Sequence, residues 1–371
     1  MAGRLLVLRR HVHLHRRVIP AQHPSLDAAP LVVLHGLFGS SSNFNTLSRK
    51  LNATRSVVLA DLRNHGASPW DDDASAEAMA EDIVELLDSL GAERAVLCGH
   101  SLGGKVVMAA ALAHPARVEQ LIVADIAPIE YSMAHEGWRA NLTIMEAMGA
   151  LPEAVLGTRG DADAALREAG VAEAGIRAFL LQNLVPEERR FRLNLHGLIA
   201  AARTGVLAGW PAHLPPAPAT LPARLIAGRR SPYCTAAGAR EAFDRLFPGA
   251  EPQTAWLEAG HWVHAEKPDE FARLVGIGST HGLPHAKDTW GNLSLSSFTL
   301  FFRIFAGWSQ SGSLYARRYV GTHRPNPIRD SQSFFRPQNP IRDSQSFTRA
   351  PASRRHSTSI YANMAQYIHR M

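Results

Sequence analysis

The residues of this chain best placed to do chemistry are Gly99-His100-Ser101-Leu102-Gly103, a G-x-S-x-G pattern. It follows an apolar, strand-like run, Arg94 to Cys98, and precedes a helix-like one, Lys105 to His114. A serine hydroxyl is a poor nucleophile at neutral pH unless it is held within reach of a base. A tight strand-to-helix turn does this by forcing a strained backbone angle on the serine. Gly99 and Gly103 lack the Cβ atoms that would collide where strand and helix cross, and Gly104 adds clearance. The five residues alone are a weak signal; the strand before and the helix after make them a specific one. The chemistry they suit is acyl transfer through Ser101.

Such a serine needs a general base on a loop that reaches the same sheet edge. Ala259-Gly260-His261-Trp262 follows the strand-like Thr254 to Glu258, which makes His261 the favoured base. His264, three residues on and without a preceding glycine, is the rival. The acid that orients the base is expected after the strand before last, Arg224 to Ala227. There Gly228-Arg229-Arg230-Ser231-Pro232-Tyr233 holds no carboxylate. Asp125, ending Ile122-Val123-Ala124-Asp125-Ile126, is therefore the candidate acid; the alternative is that it caps the entrance to the following segment or binds backbone amides. The developing oxyanion requires two backbone N–H groups. Leu102 supplies one by its position, and Leu37 in His35-Gly36-Leu37-Phe38-Gly39-Ser40 the second, with Phe38 as the alternative. His35 is expected to bond that loop in place.

These residues need a scaffold, and the stretch Leu31 to Leu274 alternates strand-like and helix-like segments, as a mostly parallel sheet covered by helices requires. Candidate strands are Leu31 to His35, Ser56 to Ala60, Arg94 to Cys98, Val118 to Ala124, Arg224 to Ala227 and Thr254 to Glu258. Apolar spacing of three and four predicts helices over Asn43 to Leu51, Ala74 to Leu90, Lys105 to His114, Ala236 to Leu246 and Pro268 to Val275. The gap from Ala124 to Arg224 is too long for a loop. Its amphipathic runs, Gly137 to Met148, Ala172 to Leu184 and Phe191 to Leu207, predict a helical lid inserted before the strand at 224–227, with a separate small helical domain as the alternative. The expected organisation is an N-terminal extension (1–29), a core (30–128 and 216–278), the lid (129–215) and a tail (279–371).

The chain has 371 residues, 46% of them hydrophobic, enough for one sizeable core with residues left over. Its net charge of +6 is unevenly placed. Residues 279–371 hold 12 Lys+Arg against 3 Asp+Glu, so the rest of the chain is slightly acidic and no nucleic-acid partner is expected. Within that tail, Asn326 to Phe334 reads NPIRDSQSF and Asn339 to Phe347 repeats it. Such polar, Pro- and Arg-bearing sequence is expected to be disordered. Cys98 and Cys234 have neither metal-like nor paired spacing and suit a reducing compartment. Leu5 to Leu8 is too short for a signal-peptide core, and no stretch reaches the length of a transmembrane segment. Before Asp27 lie five arginines and no acid, which fits a mitochondrial presequence; His11 to Ile19 equally fits a half-exposed first strand. The expected location is mitochondrial or cytoplasmic, not secreted.

Four stretches together carry a family resemblance. They are Leu34-His35-Gly36-Leu37-Phe38-Gly39-Ser40 with Asn43-Phe44; Asp61-Leu62-Arg63-Asn64-His65-Gly66-Ala67-Ser68; Gly99 to Lys105; and Val123-Ala124-Asp125-Ile126-Ala127-Pro128. From about Leu31 to Val275 the chain resembles the α/β-hydrolase superfamily, and within it the branch of small bacterial acyl esterases and mitochondrial α/β-hydrolase domain proteins. The resemblance implies the α/β-hydrolase fold and hydrolysis of carboxylic esters or acyl thioesters, of acyl-CoA or acylglycerol type, without metal or organic cofactor. It also supports an acid placed as Asp125 is. Some relatives are thought to use a lid aspartate, but Asn194-Leu195-His196, which looks equivalent, has none. Other readings of the same fold are a hydrolase-like receptor or scaffold with little turnover, and a cofactor-free lyase or C–C hydrolase.

Overall fold

The computed structural model describes residues 11–276, apart from residue 26 and residues 251–253. Nine strands follow one another among these residues: β1 (Arg16–Ile19), β2 (Leu31–Leu34), β3 (Val57–Ala60), β4 (Ala95–His100), β5 (Val118–Ala124), β6 (Leu184–Val185), β7 (Arg190–Phe191), β8 (Ala223–Gly228) and β9 (Ala255–Leu257). Seven of them form one sheet in the order β1-β3-β2-β4-β5-β8-β9. All its pairings are parallel except that of β1, which runs antiparallel to β3 from Arg16 opposite Ala60 to Ile19 opposite Val57. The mostly parallel sheet expected from the sequence is thus present, with strand ends within two residues of those expected.

Every residue of β2, β3 and β4 is buried, as befits strands covered on both faces. The period of two sorts them. Val32, Leu34 and Val58 face one apolar layer with α2 (Ala76–Ser89) and α3 (Leu102–Ala113), whereas Leu31, Val33, Val57 and Leu59 face another with Leu47 and Leu51 of α1 (Asn45–Leu51). Helix α2 starts where Ser75 accepts a hydrogen bond from the Ala78 N–H, satisfying one of its orphan donors. Helix α3 is buried on almost every side, so it carries Val-Val-Met-Ala-Ala-Ala-Leu-Ala rather than a polar stripe.

Of the two readings of the arginine-rich N-terminus, the strand is seen over Arg16–Ile19, with Arg17 also donating to the Ser41 carbonyl at 3.2 Å. Residues 1–10 and the expected disordered tail, 279–371, lie outside the described residues.

Residues 125–222 connect β5 to β8 through α4 (Glu136–Gly149), α5 (Arg159–Glu168), α6 (Ala174–Leu180), the β6–β7 hairpin and α7 (Leu195–Arg203). Helix α5, rich in charge and burying only Ala162 and Leu166, has no counterpart in the sequence expectation. Helix α7 begins four residues later than expected because Asn194 caps it, accepting from the Gly197 N–H at 3.1 Å, while Phe191 pairs in the hairpin instead. The described residues end with α8 (Ala239–Leu246), α9 (Val263–Glu266) and α10 (Pro268–Gly276), whose Phe271 is fully buried. No helix among the described residues is long and apolar enough to cross a membrane.

Candidate active site

Ser101 stands between the last residue of β4 and the first of α3, with φ 52° and ψ −116°. For a non-glycine residue this backbone is strained and persists only when its surroundings impose it. The Ser101 N–H donates to the Ala124 carbonyl at 3.0 Å, and the Gly103 N–H to the His35 carbonyl at 3.1 Å, so the ends of β5 and β2 both hold the turn. A Cβ on Gly103 would lie 2.6 Å from the His35 carbonyl oxygen, and one on Gly99 would run into the Gly103 carbonyl. The glycines are therefore required where strand and helix cross.

His261 follows β9 and faces the same sheet edge. Its Nδ1 lies 2.7 Å from Asp125 Oδ2, and Asp125 is fully buried, with φ 54°. Asp125 also accepts from the Gly228 N–H at 2.8 Å and from the Ser231 hydroxyl. Both sequence readings of Asp125, carboxylate partner of a histidine and acceptor of a backbone amide, thus coexist. Ser231 carries no signal in the sequence, because its loop holds no carboxylate and instead supplies a hydroxyl to one. The His261 ring packs between those of Tyr233 and His100, with centroids 4.3 and 4.7 Å away. His100 Nε2 donates to the His261 carbonyl at 2.8 Å, tying the loop to the elbow, and burial keeps this imidazole well below its usual pKa and neutral. His264 also lines the cavity that Ser101 and His261 share, but its ring packs against Phe44, His100 and Phe271, and burial, with His261 nearby, lowers its pKa to about 3. It has no contact with Asp125.

Ser101 Oγ holds no hydrogen bond among the described residues, and both Ser101 and His261 line one cavity of about 780 Å³. In unliganded sites the nucleophile–base contact commonly tightens only when substrate arrives. The Leu102 N–H, first in α3, has no intrahelical acceptor. The N–H groups of Leu37 and Phe38 donate to no other group among the described residues, and Phe38 takes φ 65°. His35 holds this loop as expected: its Nδ1 donates to the Gly36 carbonyl at 2.8 Å and its Nε2 accepts from the Leu62 N–H at 3.0 Å. Behind it, Asp61 accepts from the Ser41 and Ala67 N–H groups at 2.6 and 2.9 Å. Burial alone would raise that carboxyl; the Ala67 N–H, the electrostatic interaction with His35 and the Ser41 N–H outweigh it and hold it below the usual value.

A second cavity of about 370 Å³ adjoins the first, and Leu37, Ser101, Asn141 and Tyr233 line both. Asn141 from α4 and Tyr233 had no signal in the sequence, since they act only as walls brought there by packing.

The chain matches the alpha/beta hydrolase family over residues 31–274. It is 41% identical over 270 residues to a mouse protein named sn-1-specific diacylglycerol lipase ABHD11, covering 70% of this chain and 85% of that one. It is 36% identical over 250 residues to the Escherichia coli protein named esterase YbfF, covering 67% of this chain and 91% of that one. Among solved structures, a marine microorganism esterase superposes with a TM-score of 0.65 at 31% identity, over 71% of this chain and 98% of that one. From its sheet, its elbow and these likenesses, the chain belongs to the α/β-hydrolase family.

Proposed function

We propose that this protein hydrolyses carboxylic esters, with acylglycerols and acyl thioesters as its substrate classes, through an acyl-enzyme on Ser101. His261 Nε2 takes the proton as Ser101 Oγ attacks the acyl carbon. Asp125 accepts the Nδ1–H bond, fixes the imidazole tautomer and stabilises the imidazolium. The Leu37 and Leu102 N–H groups hold the oxyanion, each worth about 3 kcal/mol of barrier. The imidazolium returns its proton to the leaving alcohol or thiol. Water then attacks the acyl carbon with the same base, releasing the acid and restoring the Ser101 hydroxyl. In this reading residues 129–215 act as a lid, since Asn141 and Ile144 of α4 and Ile176 and Phe179 of α6 line the cavity over Ser101.

The observation that carries the reading is the 2.7 Å contact of His261 with buried Asp125, in the cavity that Ser101 enters from a strained turn. The names of the relatives support the ester class. The test is release of p-nitrophenol from esters running from acetate to palmitate, by the full chain and by Ser101→Ala. The expected result is a chain-length optimum in the wild type and at least a thousandfold loss of kcat in the variant. Equal rates in a folded Ser101→Ala protein would overturn the assignment and favour a receptor or scaffold.

A further inference from the structure

Lys105 is a buried cation that the ester reaction leaves unused. It lies one helical turn beyond the nucleophile on α3, its N–H donating to the Ser101 carbonyl at 3.1 Å, and it is 4% exposed. Its Nζ donates to the Ala208 carbonyl and, at 2.9 Å, to the Gly209 carbonyl, where the chain returns from the insertion. The same Nζ lies 5.0 Å from the centroid of the Tyr131 ring, where the chain departs for it. Tyr131 in turn donates its N–H to the Ala208 carbonyl at 3.2 Å and its hydroxyl to the Tyr233 carbonyl at 3.1 Å. One side chain thus holds both ends of the insertion against the helix that carries Ser101. The second cavity sits at this junction: Leu102 and Ile126 line it from the core, Trp138 and Leu207 from the insertion. Its width therefore depends on how tightly the two ends are held.

We propose that Lys105 is a positioning residue that ties both ends of the insertion to α3, and so sets the second cavity and the enzyme's discrimination between acyl chain lengths. This rests on the ester-hydrolase reading of the same site.

A buried ammonium without a carboxylate partner is costly, and Lys105 forms no ion pair among the described residues. Burial lowers its pKa to about 7, against the opposing charge of Glu130. Opening the insertion returns the group to water, where a lysine titrates near 10.4. Between these values the open form binds more protons than the closed one, so closure tightens as pH rises from 7 towards 10. The neutral amine keeps two N–H groups for the two carbonyls. Burial pushes the phenol of Tyr131 and the thiol of Cys234 up, and lowers His135 at the start of α4 below its ordinary 6.5. Ala208 and Gly209 carry no titratable side chain.

The experiment compares kcat/KM for p-nitrophenyl acetate and p-nitrophenyl butyrate from pH 6.5 to 9, in the full-length wild type and in Lys105→Met. The ratio of the two esters cancels any pH effect on the catalytic chemistry that both share. The expected result is a ratio that shifts severalfold between pH 7 and 9 in the wild type, and a ratio that is pH-independent and displaced towards the longer chain in Lys105→Met. The same ratio and pH dependence in both proteins would overturn the proposal. Hydrolysis that is indifferent to Ser101 would instead overturn the ester reading. Should Lys105→Met fail to fold, amide hydrogen exchange of residues 129–135 and 206–210 in the wild type decides, corrected for the intrinsic rate. Opening that falls by about one order of magnitude or more between pH 7 and 9 supports the latch, and pH-independent opening refutes it.

Discussion

Asp125 and His261 are 136 positions apart in the chain and 2.7 Å apart in space. Positive φ, as Asp125 and Ser101 both take, is uncommon for non-glycine residues and is held in place here by the ends of three adjacent strands. Asp125→Asn keeps the shape but removes the charge that fixes the imidazole tautomer. It should lower kcat by about four orders of magnitude with little change in KM, measured on the ester of optimal length. A loss under tenfold would show that another group orients His261. At this scale the elbow serine is legible because a strand-to-helix elbow is written in five neighbouring residues. The choice of His261 over His264 rested on one glycine, and it agrees with the contact that the structure gives Asp125. Ser231 was not legible, since nothing local marks a hydroxyl that serves a carboxylate 106 positions away.

The Asp61 to Ser68 segment is the element that supports the loop from Gly36 to Ser40, and its anchor is Arg63. That side chain is wholly buried, donating to the two Asp82 oxygens at 2.7 and 2.6 Å and to the Asp73 carbonyl at 2.7 Å. The segment therefore ties the end of β3 to α2, while Asp61 reaches across to Ser41 and His35 braces Leu62. Arg63→Met would leave Asp82 buried and unpaired. The expected cost is about 3–5 kcal/mol, read as a fall in the denaturant midpoint and in Tm. A change of less than 1 kcal/mol would mean that water reaches Asp82 and that the pair is dispensable. The segment carried a family resemblance in the sequence, yet its role as a brace became visible only with the buried partners in place. Helix α5 shows the opposite limit: with two buried residues in ten it has too narrow an apolar stripe for periodicity to detect.

For the molecule as a whole, the buried histidines make stability depend on pH. Burial lowers His65 and His264 to about 3 each and depresses His35 and His100 as well. Because the folded values lie below the unfolded value near 6.5, the unfolded chain binds more protons as the solution is acidified. Stability should be full above pH 6.5 and should fall below it by about 1.4 kcal/mol per pH unit for each histidine that must charge. Calorimetric Tm values from pH 7.5 down to 4.5 test this; a flat profile would mean that these imidazoles are hydrated in the native state. Their burial follows from the central layer, where His35 and His100 end β2 and β4 at the same sheet edge. The succession of strands along the chain, most of the helices that cover them, the elbow serine and the loop histidine can be read from the amino acids alone, because each depends on residues adjacent in the chain or on a repeat of two, three or four. The pairing of Asp125 with His261, the support from Ser231, the two cavities beside Ser101 and the clasp of Lys105 on both ends of the insertion were settled by tertiary packing. Those contacts join segments a hundred or more residues apart, and their geometry depends on how whole layers settle against one another rather than on any local pattern.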